Sequence, residues 1–160
     1  MLLYIVRHAE AGQHGDPRWP DDSLRPLTRK GRKRFSRLVK KLVRQGFAPT
    51  LIATSPLVRC RQTAQVLVER LGGEAKLLEL NELAPGGELT ALVSWTLDQQ
   101  ESDVAWVGHA PDVDRLTAGL IGTGFSNFRF AKGAIAALEF EGEITPGHGE
   151  LRWLVLPGLI

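Results

Sequence analysis

Short continuous apolar runs alternate with longer segments of helical periodicity along this chain of 160 residues. The first run is Leu2–Val6, and similar runs occupy 51–54 and 104–107. Each run is too short for a typical helix and has the apolar continuity of a strand that is buried on both faces. Strands that alternate with helices build a mostly parallel sheet with helices on both faces. The pattern therefore predicts an α/β fold, a three-layer sandwich.

Capping and turn residues delimit the helices between these strands. Thr28 is a candidate N-cap for a helix that Gly46 closes, and Ser55-Pro56 is a candidate N-cap and first residue of a helix that ends near Leu71. The other expected elements are a weak strand at 76–80, helices at 88–100 and 112–121, and a C-terminal β-hairpin of strands 134–140 and 151–156. These elements predict a single domain over residues 1–160 with about six strands.

Reactive side chains follow four of the predicted strands. Arg7 and His8 follow the first strand, Arg59 comes shortly after the second, Glu82 follows the third, and His109 follows the fourth. Ligands of open α/β sheets bind outside the carboxyl ends of the strands, where these side chains would meet. The sequence therefore predicts a site that contains two arginines, two histidines and a carboxylate.

This combination of side chains favours a tetrahedral anion as the ligand. A guanidinium presents a rigid fork of donors that matches phosphate oxygens, and Arg59 also lies in the first turn of its helix, where the helix dipole favours anions. A histidine in such a site can be a nucleophile when one ring nitrogen attacks phosphorus and the other donates to a carbonyl. The arginines would then stabilise the equatorial oxygens of the transition state.

Four short motifs follow one another between residues 5 and 112. They are Arg7-His8-Ala9-Glu10, Leu27-Thr28-x-x-Gly31, Ser55-Pro56-x-x-Arg59-x-x-x-Thr63-Ala64 and Gly108-His109. Their types and order resemble the histidine phosphatase superfamily, which is also called the phosphoglycerate-mutase-like family. The segment Arg25–Thr28 and the short length without a capping insertion are similar to its SixA-type phosphohistidine phosphatases.

The resemblance implies a role for each matching residue. His8 would be the nucleophile that forms a phosphohistidine intermediate, and Arg7, Arg59 and His109 would bind the phosphoryl group. Glu82 lies in the stretch where many relatives place the acid that protonates the leaving group. The implied activity is that of a phosphatase that needs no metal ion and no cofactor.

Two more residues and the substrate class follow from the same resemblance. Arg25 is a candidate phosphate-binding residue, and Glu10 is a candidate lining residue. An imidazole that leaves from a P–N bond is less basic than an alkoxide and needs less help from an acid. We therefore expect phosphohistidine on a protein as the substrate, with a small phosphomonoester or sugar phosphate as the alternative. A catalytically silent phosphate-binding module and a nucleic-acid-binding module are the remaining interpretations.

Other chemistries fit the sequence less well. A thiol phosphatase needs Cys-x5-Arg, but Val66 stands at the arginine position relative to Cys60, which we interpret as a packing residue. The pair Asp112 and Asp114 resembles an aspartate-nucleophile signature, but it opens a helix, so we interpret Asp112 as a helix cap. A metal site that used His8 and the acidic residues would place a divalent cation beside two arginines, which would repel it.

The net charge of +2 conceals a strongly basic segment. Residues 29–44 carry nine Lys and Arg and no acid, so the other eleven bases are set against all 18 acids elsewhere in the chain. A solvated helix face is one interpretation, and a docking surface for an acidic phosphoprotein is another. Nucleic-acid binding is disfavoured because no Tyr or Trp interleaves with these cations.

The compartment follows from the start of the chain and its cysteine content. The apolar start of six residues is too short for a signal-peptide core, and no run approaches the ~18–20 apolar residues of a membrane span. A single Cys excludes an intramolecular disulfide. We expect a cytoplasmic protein with no membrane partner, and a monomer.

Overall fold

The computed structural model describes residues 1–122 and 127–158. Strands and helices alternate through most of this part of the chain. In order they are β1 (Leu2–Arg7), α1 (Arg29–Val43), β2 (Leu51–Thr54), α2 (Val58–Arg70), β3 (Lys76–Glu79), α3 (Leu89–Asp98), β4 (Asp103–Gly108), α4 (Asp112–Leu120), β5 (Ile135–Glu139) and β6 (Glu150–Val155). Single 3₁₀ turns occupy Asp22–Leu24 and Asn81–Leu83.

The six strands form one sheet in the order β3-β2-β4-β1-β5-β6. The first four strands along the chain are parallel to one another, whereas β5 is antiparallel to β1 and pairs with β6 as a hairpin. The predicted α/β class, the mostly parallel sheet and the C-terminal hairpin are confirmed.

Helices cover both faces of the sheet. Side chains alternate along β1, so that Leu3 and Ile5 enter one core and Tyr4 and Val6 enter the other. The core around Leu3 is closed by α3 and α4, and the core around Tyr4 is closed by α1 and α2. These two cores separate the three predicted layers.

The start of α1 is fixed by a cap and by a close backbone contact. The Thr28 hydroxyl accepts a hydrogen bond from the Gly31 amide at 2.9 Å, as the sequence predicts. The Thr28 amide in turn donates to the Glu10 carbonyl at 2.9 Å. A Cβ at position 31 would collide with the Glu10 backbone, so only glycine lets the helix approach the segment that follows β1.

Two predicted caps are wrong. Helix α2 begins at Val58 with Leu57 as its N-cap, and the Ser55 side chain lies outside the helix. Helix α4 has Pro111 at its N-cap, and the Asp112 carboxylate accepts from the Gly86 amide at 3.1 Å instead of capping. Both side chains have a tertiary partner that outcompetes the local cap, and the Ser55 partner belongs to the site described below.

No helix in 1–122 or 127–158 is both long enough and apolar enough to cross a membrane.

Candidate active site

Adjacent parallel strands bring the two predicted histidines together. His8 follows β1 and His109 follows β4, and these strands pair in register with Arg7 opposite Gly108. The His8 amide donates to the Gly108 carbonyl at 3.0 Å, which extends the ladder by one residue. The two imidazole centroids lie 5.4 Å apart at an interplanar angle of 58°. Both side chains are buried at the carboxyl end of the sheet.

The two nitrogens of the His8 ring differ, because one is hydrogen-bonded to a backbone carbonyl and the other keeps its lone pair. Its Nδ1 lies 2.8 Å from the Ala9 carbonyl oxygen. Because a carbonyl only accepts, Nδ1 carries the proton and Nε2 keeps its lone pair. Burial is the main cause that lowers the pKa of His8 to about 3, and the charges of His109, Arg59 and Arg7 lower it further. The hydrogen bond to Ala9 raises the pKa but does not offset these effects. The ring is therefore neutral at pH 7.

Helix α2 holds the segment that contains His8. The Ala9 amide donates to the Thr63 hydroxyl at 3.0 Å, and that hydroxyl donates to the Arg59 carbonyl at 2.7 Å. Arg59 and Thr63 are one turn apart, so a single turn of α2 supports the loop of His8 and carries a site arginine. Motif residues that are distant in sequence therefore form one hydrogen-bonded unit.

Arg7 and Arg59 are each anchored at one nitrogen and unpaired at another. The Arg7 guanidinium donates to the Phe130 carbonyl at 2.6 Å, and the Arg59 guanidinium donates to the Asp22 carbonyl at 2.9 Å. The Nε atoms of both arginines are buried and lack a hydrogen-bond partner within the described ranges. Burial lowers the pKa of each guanidinium, yet both remain cationic at neutral pH. A buried donor without an acceptor costs free energy, and an oxygen of a bound anion is one partner that would remove this cost.

Asp22, which no sequence motif singles out, links three side chains. Its carboxylate lies 2.8 Å from Arg25 Nε, 3.2 Å from Arg59 and 2.9 Å from His14 Nδ1. The hydrogen bond from Arg25 holds the pKa of Asp22 well below its usual range. Asp22 therefore fixes the Arg59 fork, and the signal that could have found it is its position three residues before Arg25.

Arg25 is buried, and two of its nitrogen atoms have protein partners. Nε donates to Asp22, and a terminal nitrogen donates to the Gly12 carbonyl at 2.7 Å. Arg25 and Arg59 thus bind the same carboxylate, and Arg25 positions Asp22. Its direct contact with phosphate stays a prediction.

His109 is surrounded by Ser55 and Cys60. Its Nε2 lies 2.9 Å from the Ser55 hydroxyl and 3.4 Å from the Cys60 sulfur. Burial, with Arg59 adding to it, lowers the pKa of His109 to about 4, and burial raises the pKa of the Cys60 thiol to about 12. Cys60 is thus the buried packing residue that the sequence predicts, whereas the contact of Ser55 with His109 was missed.

Neither predicted glutamate is hydrogen-bonded or ion-paired to the histidines and arginines of this cluster within the described ranges. Glu82 lies in an exposed turn beside Gly108, and no hydrogen bond or ion pair of the described residues involves its carboxylate. The Glu10 carboxylate lies 4.0 Å from Arg34 of α1, and Glu10 lines a cavity of about 240 Å³ that also has Ala9 in its wall. The roles of both glutamates stay predictions.

Two aspartates near the site hold loops. The Asp112 carboxylate binds the Gly86 amide and pairs with Arg115, and the Asp114 carboxylate accepts from the Phe130 amide at 2.9 Å. Because Phe130 also accepts the bond from Arg7, Asp114 positions an arginine anchor. Apart from residues 123–126 and 159–160, which the structure leaves undescribed, no three His, Cys, Asp or Glu side chains are grouped to hold a metal ion.

The fold and the site together define an enzyme that handles phosphoryl groups at the carboxyl end of an α/β sheet. The family model of the histidine phosphatase superfamily (branch 1) matches residues 3–122, which contain all the site residues described above except Phe130. The chain belongs to this superfamily and is a phosphatase.

Several known proteins are similar to this chain over most of its length. An uncharacterised protein of Picosynechococcus sp. is 37% identical over 118 residues, which are 71% of this chain and 68% of that protein. The phosphohistidine phosphatase SixA of Escherichia coli is 26% identical in an alignment that covers 98% of this chain and 94% of the SixA chain. A structure of the protein histidine phosphatase SixA with tungstate superposes with a TM-score of 0.84 at 26% identity, over 98% of this chain and 97% of that one. An α-ribazole-5'-P phosphatase structure from E. coli, at 18% identity and a TM-score of 0.72 over 99% of each chain, shares the fold.

Proposed function

We propose that this protein hydrolyses phosphohistidine on a protein, without a metal ion, through a phosphohistidine intermediate on His8. One observation carries the mechanism: the buried guanidinium Nε atoms of Arg7 and Arg59 have no partner in the described chain, and the charges of both arginines act on a neutral His8 that keeps its lone pair on Nε2. A tetrahedral phosphoryl group would satisfy both donors and present its phosphorus to that nitrogen. Arg7, Arg59 and His109 would surround its oxygens.

In the first step the Nε2 lone pair attacks phosphorus while the bond to the leaving group breaks. The leaving group keeps the bonding electrons, and the imidazole ring of His8 acquires a positive charge. That charge is stabilised by the Nδ1–H bond to the Ala9 carbonyl. Arg7 and Arg59 offset the charge on the equatorial oxygens.

In the second step water attacks the phosphorus of the phosphohistidine. The P–N bond breaks, its electrons return to Nε2, and the water proton leaves with inorganic phosphate or solvent. Because the pKa of His8 is about 3, the released ring is neutral at pH 7 and ready for another cycle.

The exposed Glu82 supports the choice of phosphohistidine over an ordinary phosphomonoester. No described contact fixes the Glu82 carboxylate at the position of a leaving group, and an imidazole leaving group needs little protonation. The resemblance to E. coli SixA, whose name describes a phosphohistidine phosphatase, agrees with this substrate class. Tungstate, present in the SixA structure, is itself a tetrahedral oxyanion.

The test compares an aryl phosphate with a phosphohistidine peptide, each with and without EDTA. We expect turnover of both that survives EDTA, a higher kcat/KM for the peptide, and loss of both activities in His8→Ala. His148→Ala is the matched control, because His148 is exposed in a loop outside the site. Activity that disappears with EDTA would refute the metal-free mechanism, and a preference for small phosphomonoesters would refute the substrate class.

A further inference from the structure

The outward face of α1, together with its C-cap, carries a row of five cations. Arg29, Lys33, Arg37, Lys40 and Arg44 are spaced three or four residues apart and are all exposed, and we call them the cationic ridge. The opposite face of the helix is buried in the core. The ridge is therefore a continuous stripe along the surface, about 22 Å long at 1.5 Å per residue.

The acids of the protein do not neutralise this stripe. The basic residues of α1 that form ion pairs within 1–122 and 127–158 are Arg32, which binds Glu69 at 2.7 Å, and Arg34, which lies 4.0 Å from Glu10. Both flank the ridge and do not belong to it. The five ridge cations thus present their charge to solvent with no intramolecular acidic partner in the described chain.

The ridge begins at the active-site loop. The N-cap Thr28 binds the Glu10 carbonyl, and Gly31 lies against the Glu10 backbone, two residues after His8. The cavity of about 240 Å³ lies between this end of α1 and residues 131–133, with Ala9 in its wall, and its charged lining is two cations, Arg34 and Lys132, and one acid, Glu10. A chain that presents a phosphoryl group to His8 can therefore continue across cationic surface onto the ridge.

We propose that the cationic ridge docks an acidic segment of the phosphoprotein substrate, next to its phosphohistidine. The inference rests on the proposed function and adds a determinant of specificity outside the catalytic cluster. Acidic side chains on an extended segment recur every two residues, about 7 Å apart, which is close to the ~6 Å between successive turns of the ridge. A segment of six consecutive extended residues reaches about 20 Å, nearly the full length of the ridge.

A protein is favoured over a nucleic acid as the occupant. Single-stranded nucleic acids use exposed aromatic side chains for stacking, and the aromatic residue of α1, Phe35, is fully buried. The ridge also begins beside a phosphatase site, where electrostatic recruitment of an acidic substrate raises the rate of association.

The test uses two synthetic peptides, each with one phosphohistidine, followed by six glutamates in one and by six serines in the other. The wild-type protein should hydrolyse the acidic peptide with about tenfold higher kcat/KM at low salt, mainly through KM. Lys33→Glu/Arg37→Glu should abolish this preference and leave aryl phosphate turnover unchanged. The preference should also shrink in 0.5 M salt, since screening shortens the Debye length from the ~10 Å it has at 0.1 M.

A matched control separates local docking from net charge. Arg61→Glu/Lys76→Glu makes the same change of charge on the α2–β3 side, where both residues are exposed, and should retain the preference. The docking proposal would be overturned if the wild type hydrolysed the two peptides equally well. It would also be overturned if the ridge variant and the control variant lost the preference for the acidic peptide to the same extent. Hydrolysis of neither peptide would instead overturn the proposed function. Tight binding of an RNA 20-mer that only the ridge variant loses, together with no peptide preference, would assign the ridge to nucleic acid.

Discussion

Replacing Arg59 by alanine should lower kcat/KM for an aryl phosphate by about 10²–10³-fold, the cost of removing one preorganised donor to the transition state. The magnitude follows from the environment of the side chain. Its Nε is buried without a partner in the described chain, while a terminal nitrogen is held by the Asp22 carbonyl and lies 3.2 Å from the Asp22 carboxylate. The buried donor is thus oriented before substrate binds, and its loss raises the barrier by about 3–4 kcal/mol.

Arg59→Lys separates charge from geometry at the same position. A lysine ammonium is a single point charge, so it cannot bind Asp22 and also present a second fixed donor to the phosphoryl group. We expect kcat/KM to fall by about tenfold to a hundredfold, with the competitive inhibition constant of phosphate also raised. Steady-state kinetics at pH 7 measure both variants, and circular dichroism establishes that they fold.

Arg61→Ala is the matched control, because Arg61 lies two positions further along α2 and is exposed, with Glu79 at 3.4 Å. Its removal should change kcat/KM by less than twofold. If kcat/KM fell by less than tenfold in Arg59→Ala, or fell equally in the alanine variants at positions 59 and 61, Arg59 would not contact the phosphoryl group.

Three further perturbations test the surroundings of the site. The pKa values of His8 and His109, about 3 and about 4, lie below the ordinary 6.5, so their stabilising contribution is complete above pH 6.5 and is lost as pH falls toward 4. Urea unfolding should show that the free energy of unfolding falls by up to ~1.4 kcal/mol per pH unit for each histidine as the pH is lowered. The dependence of this free energy on pH should be shallower in His8→Gln, and an identical dependence would contradict the buried neutral state. Ser55→Ala should lower kcat by about threefold to tenfold through a misoriented His109, and unchanged kinetics would show that the hydroxyl has no positioning role. Asp22→Asn should lower kcat by about tenfold because Arg59 loses its carboxylate anchor, and should cost about 1–2 kcal/mol of unfolding free energy, since the carboxylate is partly exposed. An unchanged kcat would contradict that role.

The strands and the sheet could be predicted because their signal is local. The run Leu2–Val6 is buried on both faces, and its apolar continuity depends on no partner in particular. Helix caps are harder to predict, because a capping side chain can bind a tertiary partner instead of the amides at the helix start. Ser55 has the side chain of an N-cap, but its hydroxyl binds His109, a residue 54 positions away that no local pattern reveals. Asp112 is diverted in the same way by the Gly86 amide.

The site residues likewise divide into those that a local sequence pattern reveals and those that it does not. His8 and His109 could be placed together because each directly follows a strand, and the carboxyl ends of parallel strands meet. Asp22 lies in a loop without periodicity, and its role arises when that loop folds over the Arg59 end of α2. Arg25 was assigned to the site, but the structure shows its guanidinium bound to Asp22 and the Gly12 carbonyl.

The central claim is that His8 carries the phosphoryl group between the two half-reactions. Rapid acid-free quenching of the enzyme with a ³²P-labelled phosphohistidine peptide, followed by proteolysis, should recover label on the peptide that contains His8. That label should be lost in acid and stable in base, as expected for a phosphoramidate, and it should be absent in His8→Ala. Label on another residue, or turnover by His8→Ala at the wild-type rate, would contradict the mechanism.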